Sequence, residues 1–434
     1  MLKMGDVIQK KNIVLLSSFA LAPLLGSTVL LFVLFLVLYT AKNFTFNKPW
    51  FRAYLPIRII GLALIAYFCC FAILELIHSE NLQTTTIALG KIFPIFVIGL
   101  LGLFLDIKKC TVKYLDIGNA AIIGVYLTIF CALFFKFLFS EYGFVINDLD
   151  VHGRLTMFSG NALPFGTMFI TLSFLTLLGF TGKSPPKKLI AVSAFIIGIL
   201  TVWLWNQSRG PTLSTLPLLF VTLCVIIIYF NFYRKILFYL ILTLLTIILS
   251  MIFYYLKDYI IHFLHVSPLA EMIGPATTYE KWWYAYRTFF DGKPYDISVY
   301  TRMVMYSASI QTFFASPLIG HGLDGMGVAI LPFLPPEWAE LTYRHFHNIF
   351  INHFLAGGIF GLIALTILLV SPLITLYYNK NEKHKDAIIC SFIIMTSIIF
   401  NGLTNLIFFH DLMGAFFAIL ILLNSIASYN KKDT

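Results

Sequence analysis

Charged residues are scarce in this chain of 434 residues: Asp, Glu, Lys and Arg together make up 12%, against about 25% in a soluble domain. That shortage excludes a surface exposed to water on all sides. Cysteine is scarce as well. The six cysteines (Cys69, Cys70, Cys110, Cys131, Cys224 and Cys390) lie in apolar segments or a basic loop, which excludes a disulfide framework. The sequence has no P-loop, so a nucleotide-driven reaction has no phosphate cradle to use. It has no internal repeat and no low-complexity tract either. What fills the chain is apolar: 59% hydrophobic and 17% aromatic residues. Length alone would suggest ~3 soluble domains, but the composition points to one transmembrane domain running through residues 1–434.

The formal net charge of +10 would suggest a nucleic-acid partner in a soluble protein. The positions argue otherwise. Of 30 Lys and Arg, 20 fall in 3–11, 42–58, 108–113, 183–188, 234–235, 380–385 and 431–432, which are the termini and alternate loops. This is the positive-inside distribution, which sets orientation rather than binding. A crossing needs ~20 mostly apolar residues. Spans are therefore predicted near 57–77, 85–105, 117–139, 162–181, 188–206, 211–230, 236–256, 347–377, 387–408 and 411–428. The stretch 13–41 is too long for one crossing at ~1.5 Å per residue. Pro23 and Gly26 interrupt it, and basic residues flank both ends, so it reads as two short helices. The expected fold class is an all-α polytopic membrane protein with about 12 transmembrane helices and both termini cytoplasmic. A secretory signal ending at Ala20-Leu21-Ala22 is the competing reading. Cleavage there would orient the next apolar segment against the basic loop at 42–58.

That topology puts loops near 78–84, 140–161, 206–210 and 257–346 on the external side. The last is long enough to carry function of its own. It holds apolar and aromatic runs at helical spacing, Tyr279 to Phe290 and Val299 to Phe314, punctuated by Gly274-Pro275, Gly292-Lys293-Pro294 and Pro335-Pro336. The expectation is a set of short helices lying on the outer membrane face.

The external side also gathers the residues with chemical potential. Ser208-Arg209-Gly210-Pro211 joins two spans: Ser208 can cap the following helix and Pro211 suits its first turn. The helix start offers free N–H groups, and Arg209 adds a fork of donors matched to phosphate. An arginine snorkelling to lipid headgroups is the bland alternative. Arg302 sits inside a predicted amphipathic helix, with a solvated or salt-bridged arginine as its alternative. His347 and Asn348 stand where the large loop enters a span of ~30 residues, or ~45 Å. Such a helix either tilts or projects beyond the hydrocarbon core. His347 and Gly358 are 11 residues apart, about three helical turns, so a continuous helix would put them on one face. Gly357 and Gly361 form a small-residue packing pair. An imidazole, with its usual pKa of ~6.5, can take a proton from a sugar hydroxyl near neutrality. His345, His353 and His410 read as hydrogen-bonded structural residues.

Several weaker signals need weighing. Gly320-His321-Gly322-Leu323-Asp324-Gly325 matches GxGxxG but has no preceding strand, so a turn after Pro317 explains it better. Asp148-Leu149-Asp150 with His152 imitates a metal-binding acidic pair, and His345, His347 and His353 lack a Cys or carboxylate to complete a zinc set. No metal and no cofactor are expected. Lys91 and Lys136, inside predicted spans near their external ends, are candidates for contact with a lipid diphosphate. Arg154 and Asp411 belong with them.

Together these residues resemble the O-antigen ligase family, within the wider group of O-antigen polymerases and bacterial O-oligosaccharyltransferases. The resemblance spans about residues 190–428. It rests on Ser208-Arg209-Gly210, on Arg302 followed by Ser316-Pro317-Leu318-Ile319-Gly320-His321-Gly322, and on His347-Asn348, nine residues, then Gly358-x-x-Gly361. The resemblance implies a GT-C-type, metal-independent, inverting glycosyltransferase of the bacterial inner membrane, with its active site facing the periplasm. Its donor would be an undecaprenyl-pyrophosphate-linked glycan and its acceptor the lipid A–core oligosaccharide, among membrane lipids and without nucleic acid. Carried over by position, Arg209 and Arg302 would bind the pyrophosphate, His347 would act as base, and Asp411 would match an acidic residue in the last spans. The polymerases carry Arg-x10-Gly repeats. Here Phe220 and Phe313 stand at the glycine positions, which favours ligase. Two alternatives stay open: a polymerase or protein O-oligosaccharyltransferase using the same donor, and a transporter or flippase of lipid-linked sugar. The second would place its polar residues at the midplane rather than at one face.

Overall fold

The computed structural model describes residues 55–78, 82–104, 114–134, 162–181, 184–206, 208–229, 278–338, 346–378, 385–404, Phe416, Phe417 and Leu420. The helices are α1 (Leu55–His78), α2 (Leu82–Phe104), α3 (Tyr114–Phe134), α4 (Ala162–Leu175), α5 (Pro185–Leu200), α6 (Arg209–Tyr229), α7 (Thr278–Asp291), α8 (Ile297–Ala315), α9 (Ile349–Tyr378) and α10 (Lys385–Gly402). Short helical turns at Met326–Ala329, Leu331–Phe333 and Pro336–Trp338 follow α8. No strand occurs among the described residues. The chain is a helical membrane protein, and its long apolar runs explain why: in hydrocarbon a helix is the way a single segment satisfies its own backbone. Among the described residues, four stretches are long and apolar enough to cross a membrane, Arg58–His78, Ile117–Phe134, Pro185–Trp203 and Ile349–Ile374, with shorter apolar helices at Leu163–Leu178 and Ile389–Gly402. Expected spans at 13–41 and 236–256, and most of 411–428, lie outside the described residues.

The helix α4 is deeply buried among the described residues. Phe165, Phe169 and Phe174 are fully buried, and so are Thr167, Thr171, Ser173 and Thr176. A helix apolar on every face belongs at the centre of a bundle. Its hydroxyls return to the preceding turn, Thr171 to Thr167 O at 2.7 Å and Ser173 to Phe169 O at 2.7 Å. Two of them also reach α10, Thr171 to Ser397 Oγ at 2.5 Å and Thr167 to Asn401 Oδ1 at 3.3 Å. Polar contacts of this kind lock neighbouring helices where apolar surface alone gives no preference over lipid. A second locus joins α1 to α9. His353 is fully buried, its Nε2 lies 2.7 Å from the Tyr67 hydroxyl and its Nδ1 2.5 Å from Ile349 O. Phe71 packs edge-on against the same ring. The structural role expected for His353 is what the fold gives it.

The helix α9 corrects the picture of one long rod. Gly358 has φ 57 and ψ −144, outside helical space. A Cβ built at Gly361 would lie 2.5 Å from His353 O. In a straight helix eight residues span about 12 Å along the axis, so the chain leaves the helical path at Gly358 rather than running straight through it. His347 and Gly358 therefore do not share one helical face. The predicted packing of Gly357 and Gly361 holds, since both present their open side to Phe71 of α1.

A break like this frees backbone groups that must find partners. The loop after α8 supplies them. His321 N and Gly322 N donate to Leu355 O and Ala356 O at 2.8 and 2.9 Å, while Ile359 N and Phe360 N donate to Pro317 O and Leu318 O at 2.9 and 3.3 Å. The GxGxxG-like stretch is thus a docking loop. On its far side α1 holds it, with Glu75 accepting from Leu323 N and His78 Nε2 3.1 Å from Ile319 O.

Candidate functional site

The helix α6 begins at Arg209, with Pro211 in its first turn as expected. Ser208 does not cap it. The Ser208 hydroxyl is buried with no hydrogen-bond partner among the described residues, and its backbone N–H donates to Asn206 Oδ1 at 3.3 Å. The π-helical turn Thr201–Asn206 just before it sets Asn206 to receive that N–H. Gly210 lets the helix start press against Thr404, whose hydroxyl occupies the space a Cβ would need.

The Arg209 guanidinium is gripped by Asp296, Nη1 donating to Oδ1 at 3.0 Å and Nη2 to Oδ2. Asp296 is also the N-cap of α8, accepting from Val299 N at 3.1 Å, and its own N–H donates to Thr288 Oγ1 of α7 at 2.7 Å. One residue thus ties three helices together. Burial alone would raise the Asp296 pKa, but the hydrogen bond and charge of Arg209, with the amides of Val299 and Ser298, hold it below the usual value. Asp296 was not singled out in the sequence. Its signal was there, an acidic residue just ahead of a helical period.

Arg302 stands two turns into α8. Its Nη1 folds back to Ser298, donating to O at 3.0 Å and Oγ at 2.6 Å, while its buried Nε has no hydrogen-bond partner among the described residues. Burial lowers the Arg302 pKa. Tyr306 offsets this, the neighbouring charge of Arg209 adds to it, and Asp296 offsets it again. Two guanidiniums are thus close enough to feel each other, with one carboxylate between them, and an arginine stays charged under such pressure. A pair of like charges held together is a standing attraction for an anion.

His347 is presented by a clamp. Phe346 before it is fully buried and donates its N–H to Asn352 Oδ1 at 3.2 Å. Asn348 after it caps α9, its Oδ1 accepting from Phe350 N at 2.9 Å and Ile351 N at 3.2 Å, while its Nδ2 donates to Leu403 O at 3.2 Å. Between these fixed neighbours His347 takes φ 49, the left-handed region. Strain of about 1 kcal/mol in a non-glycine residue persists only where the surroundings impose it, and such places cluster at functional sites.

The three predicted residues are brought into one region. Gly210, beside Arg209, touches Thr404; Asn348, beside His347, bonds Leu403. Asp296, which grips Arg209, caps the helix that carries Arg302. Residues 192–366 match the family model described as O-antigen ligase. Over that stretch the chain is similar to O-antigen ligases. The matched stretch contains Ser208-Arg209-Gly210, Arg302 to Gly322, and His347 to Gly361. The match supports the O-antigen ligase and polymerase group, whose partners are lipid-linked glycans and lipid A–core. No curated protein matches the chain. Of the other predicted site residues, Lys91 falls in α2 with its side chain outside the described residues. Lys136, Arg154 and Asp411, like His345, His410 and the Asp148-Leu149-Asp150 stretch, lie outside them as well.

Proposed function

We propose that this protein transfers a glycan from undecaprenyl pyrophosphate to the lipid A–core oligosaccharide at the periplasmic face of the inner membrane, as a metal-independent, inverting glycosyltransferase of GT-C type. The observation that supports this most is the convergence of Arg209, Arg302 and the His347-Asn348 turn around the end of α10 and the start of α8. In this reading Arg209 and Arg302 hold the two phosphates of the donor. His347 accepts the proton of the acceptor hydroxyl as its oxygen attacks the anomeric carbon. The bond from that carbon to the phosphate oxygen breaks, and undecaprenyl pyrophosphate leaves with the electron pair. Guanidiniums aimed at that developing charge lower the barrier without needing a metal or a nucleotide. Lys91, Lys136, Arg154 and Asp411 are proposed as further contacts to the donor, and Asn348 as the residue that sets the His347 ring in place. In this reading the helices α7 and α8 belong to the periplasmic cover of the site.

Reconstitution in liposomes with lipid-linked glycan and lipid A–core tests this. The expected product is glycan on lipid A–core without ATP and in the presence of EDTA. Loss of activity on chelation overturns the metal-free mechanism. A lengthened donor with no lipid A product identifies a polymerase instead, and movement of unmodified donor across the bilayer identifies a flippase.

A further inference from the structure

Asp296 and Ser298 stand at the start of α8, and each is tied to one of the two arginines. Asp296 caps the helix and takes Nη1 and Nη2 of Arg209 on its two carboxylate oxygens. Ser298, exposed in the first turn, receives Nη1 of Arg302 on its carbonyl oxygen at 3.0 Å and on its hydroxyl at 2.6 Å. Arg302 therefore reaches back one full turn along α8. Two guanidiniums from separate parts of the chain, one from the start of α6 and one from within α8, are thus anchored at a single helical turn. That turn is itself fixed. Val299 N donates to Asp296 Oδ1 at 3.1 Å, and Asp296 N donates at 2.7 Å to Oγ1 of Thr288, a fully buried residue of α7.

Anchors of this kind leave binding capacity unspent. A guanidinium carries five N–H groups in a rigid fork, and only some of them go to Asp296 and Ser298. What the anchors remove is freedom. A long side chain that has to be ordered when a ligand arrives lowers affinity by the entropy of ordering it. An arginine already held in place does not. We propose that Asp296 and Ser298 are positioning residues that fix the spacing of the Arg209 and Arg302 guanidiniums, and that this spacing selects a diphosphate over a single phosphate. The proposal rests on the diphosphate reading of the two arginines. A diphosphate engages both arginines at once, so loosening either one weakens it. A single phosphate settles on whichever arginine remains anchored and loses less.

The test uses the full chain in lipid nanodiscs, with inorganic pyrophosphate and inorganic phosphate as separate probes in titration calorimetry. The readout is the ratio of the two affinities. Ser298→Ala removes the hydroxyl at an exposed position without changing the charge. Its preference for pyrophosphate over phosphate is expected to fall roughly three- to tenfold, the effect of freeing one long side chain. Ser298→Thr keeps the hydroxyl and should restore the parent ratio. Asp296→Glu keeps the charge but moves the carboxylate by one methylene, and should lower the ratio by a similar factor. Melting temperatures identify a variant that fails to fold; if Asp296→Glu is one, Ser298→Ala alone decides. An unchanged ratio in Ser298→Ala overturns the proposal, even if transfer slows. Equal weakening of both probes overturns it too, because a merely structural fault would act on both alike. A parent protein that binds neither probe overturns the diphosphate reading and this proposal together, whereas a parent that binds pyrophosphate with a ratio indifferent to Ser298→Ala overturns this one alone.

Discussion

Gly320 and Gly358 interlock. A Cβ on Gly320 would lie 2.6 Å from the backbone of Ala356, Gly357 and Gly358, and one on Gly358 would lie 2.5 Å from Leu318 C and 2.6 Å from Pro317 O. Both residues have positive φ, 66 and 57. Two stretches 38 positions apart thus share one backbone-to-backbone seam, and the break in α9 exists because the loop after α8 fills it.

Substitution at this seam should separate conformation from packing. Gly358→Ala must find room against backbone in a conformation L-residues avoid, with an expected loss of about 3 kcal/mol or more. Gly357→Ala meets only the ends of the Leu74 and Phe71 side chains, at 3.1 and 3.2 Å, and should cost about 1 kcal/mol. Melting temperatures of the two variants in detergent check the contrast; equal losses would mean that the seam is not rigid.

His347 offers the opposite trade. Glycine adopts left-handed φ without penalty, so His347→Gly should leave stability unchanged or raised by about 1 kcal/mol while abolishing transfer. A thermal melt and a transfer assay on the same preparation test both halves. A variant with residual activity near the parent would remove His347 from the mechanism.

The Arg209–Asp296 pair predicts a pH signature. Asp296→Asn keeps an oxygen to cap α8 but loses the charge that grips Arg209. The folded pKa of Asp296 lies below its usual ~3.9, so the pair stabilises the fold fully above that value and is lost as pH falls through the depressed folded pKa. The parent should therefore melt above Asp296→Asn from neutral pH down to about pH 4, with the gap closing only in stronger acid. A gap that closes already between pH 5 and 7 would contradict the depressed pKa.

Arg209→Lys retains charge but replaces a two-pronged donor with a point charge. Loss of one charge-assisted hydrogen bond is worth about 1.5–3 kcal/mol, so donor kcat/KM should fall roughly 10- to 150-fold. Arg302→Lys should fall by a similar factor, since the single nitrogen of Lys cannot stand both where Nη1 bonds Ser298 and where the rest of the guanidinium fork faces the ligand. Steady-state kinetics with varied donor measure each, and unchanged kcat/KM in both would dissociate the guanidiniums from the donor.

Helix positions, the membrane character and the two short helices of the large loop were legible in the amino-acid order, because each follows from local apolar periodicity. The helix expected over Val299 to Phe314 runs from Ile297 to Ala315, and that over Tyr279 to Phe290 from Thr278 to Asp291. Arg209, Arg302 and His347 were also legible, as isolated polar residues where polarity is costly. Their company was not. Arg209 meets Asp296 across 87 positions, and Asn348 meets Leu403 across 55; no periodicity encodes contacts at such separations. The continuous helix expected through Gly358 failed for the same reason. Local propensity favoured an unbroken span, but the freed backbone groups found better-placed partners in a loop far behind in the chain. The left-handed turn at His347 came likewise from outside, imposed by the anchoring of Phe346 and Asn348 on either side.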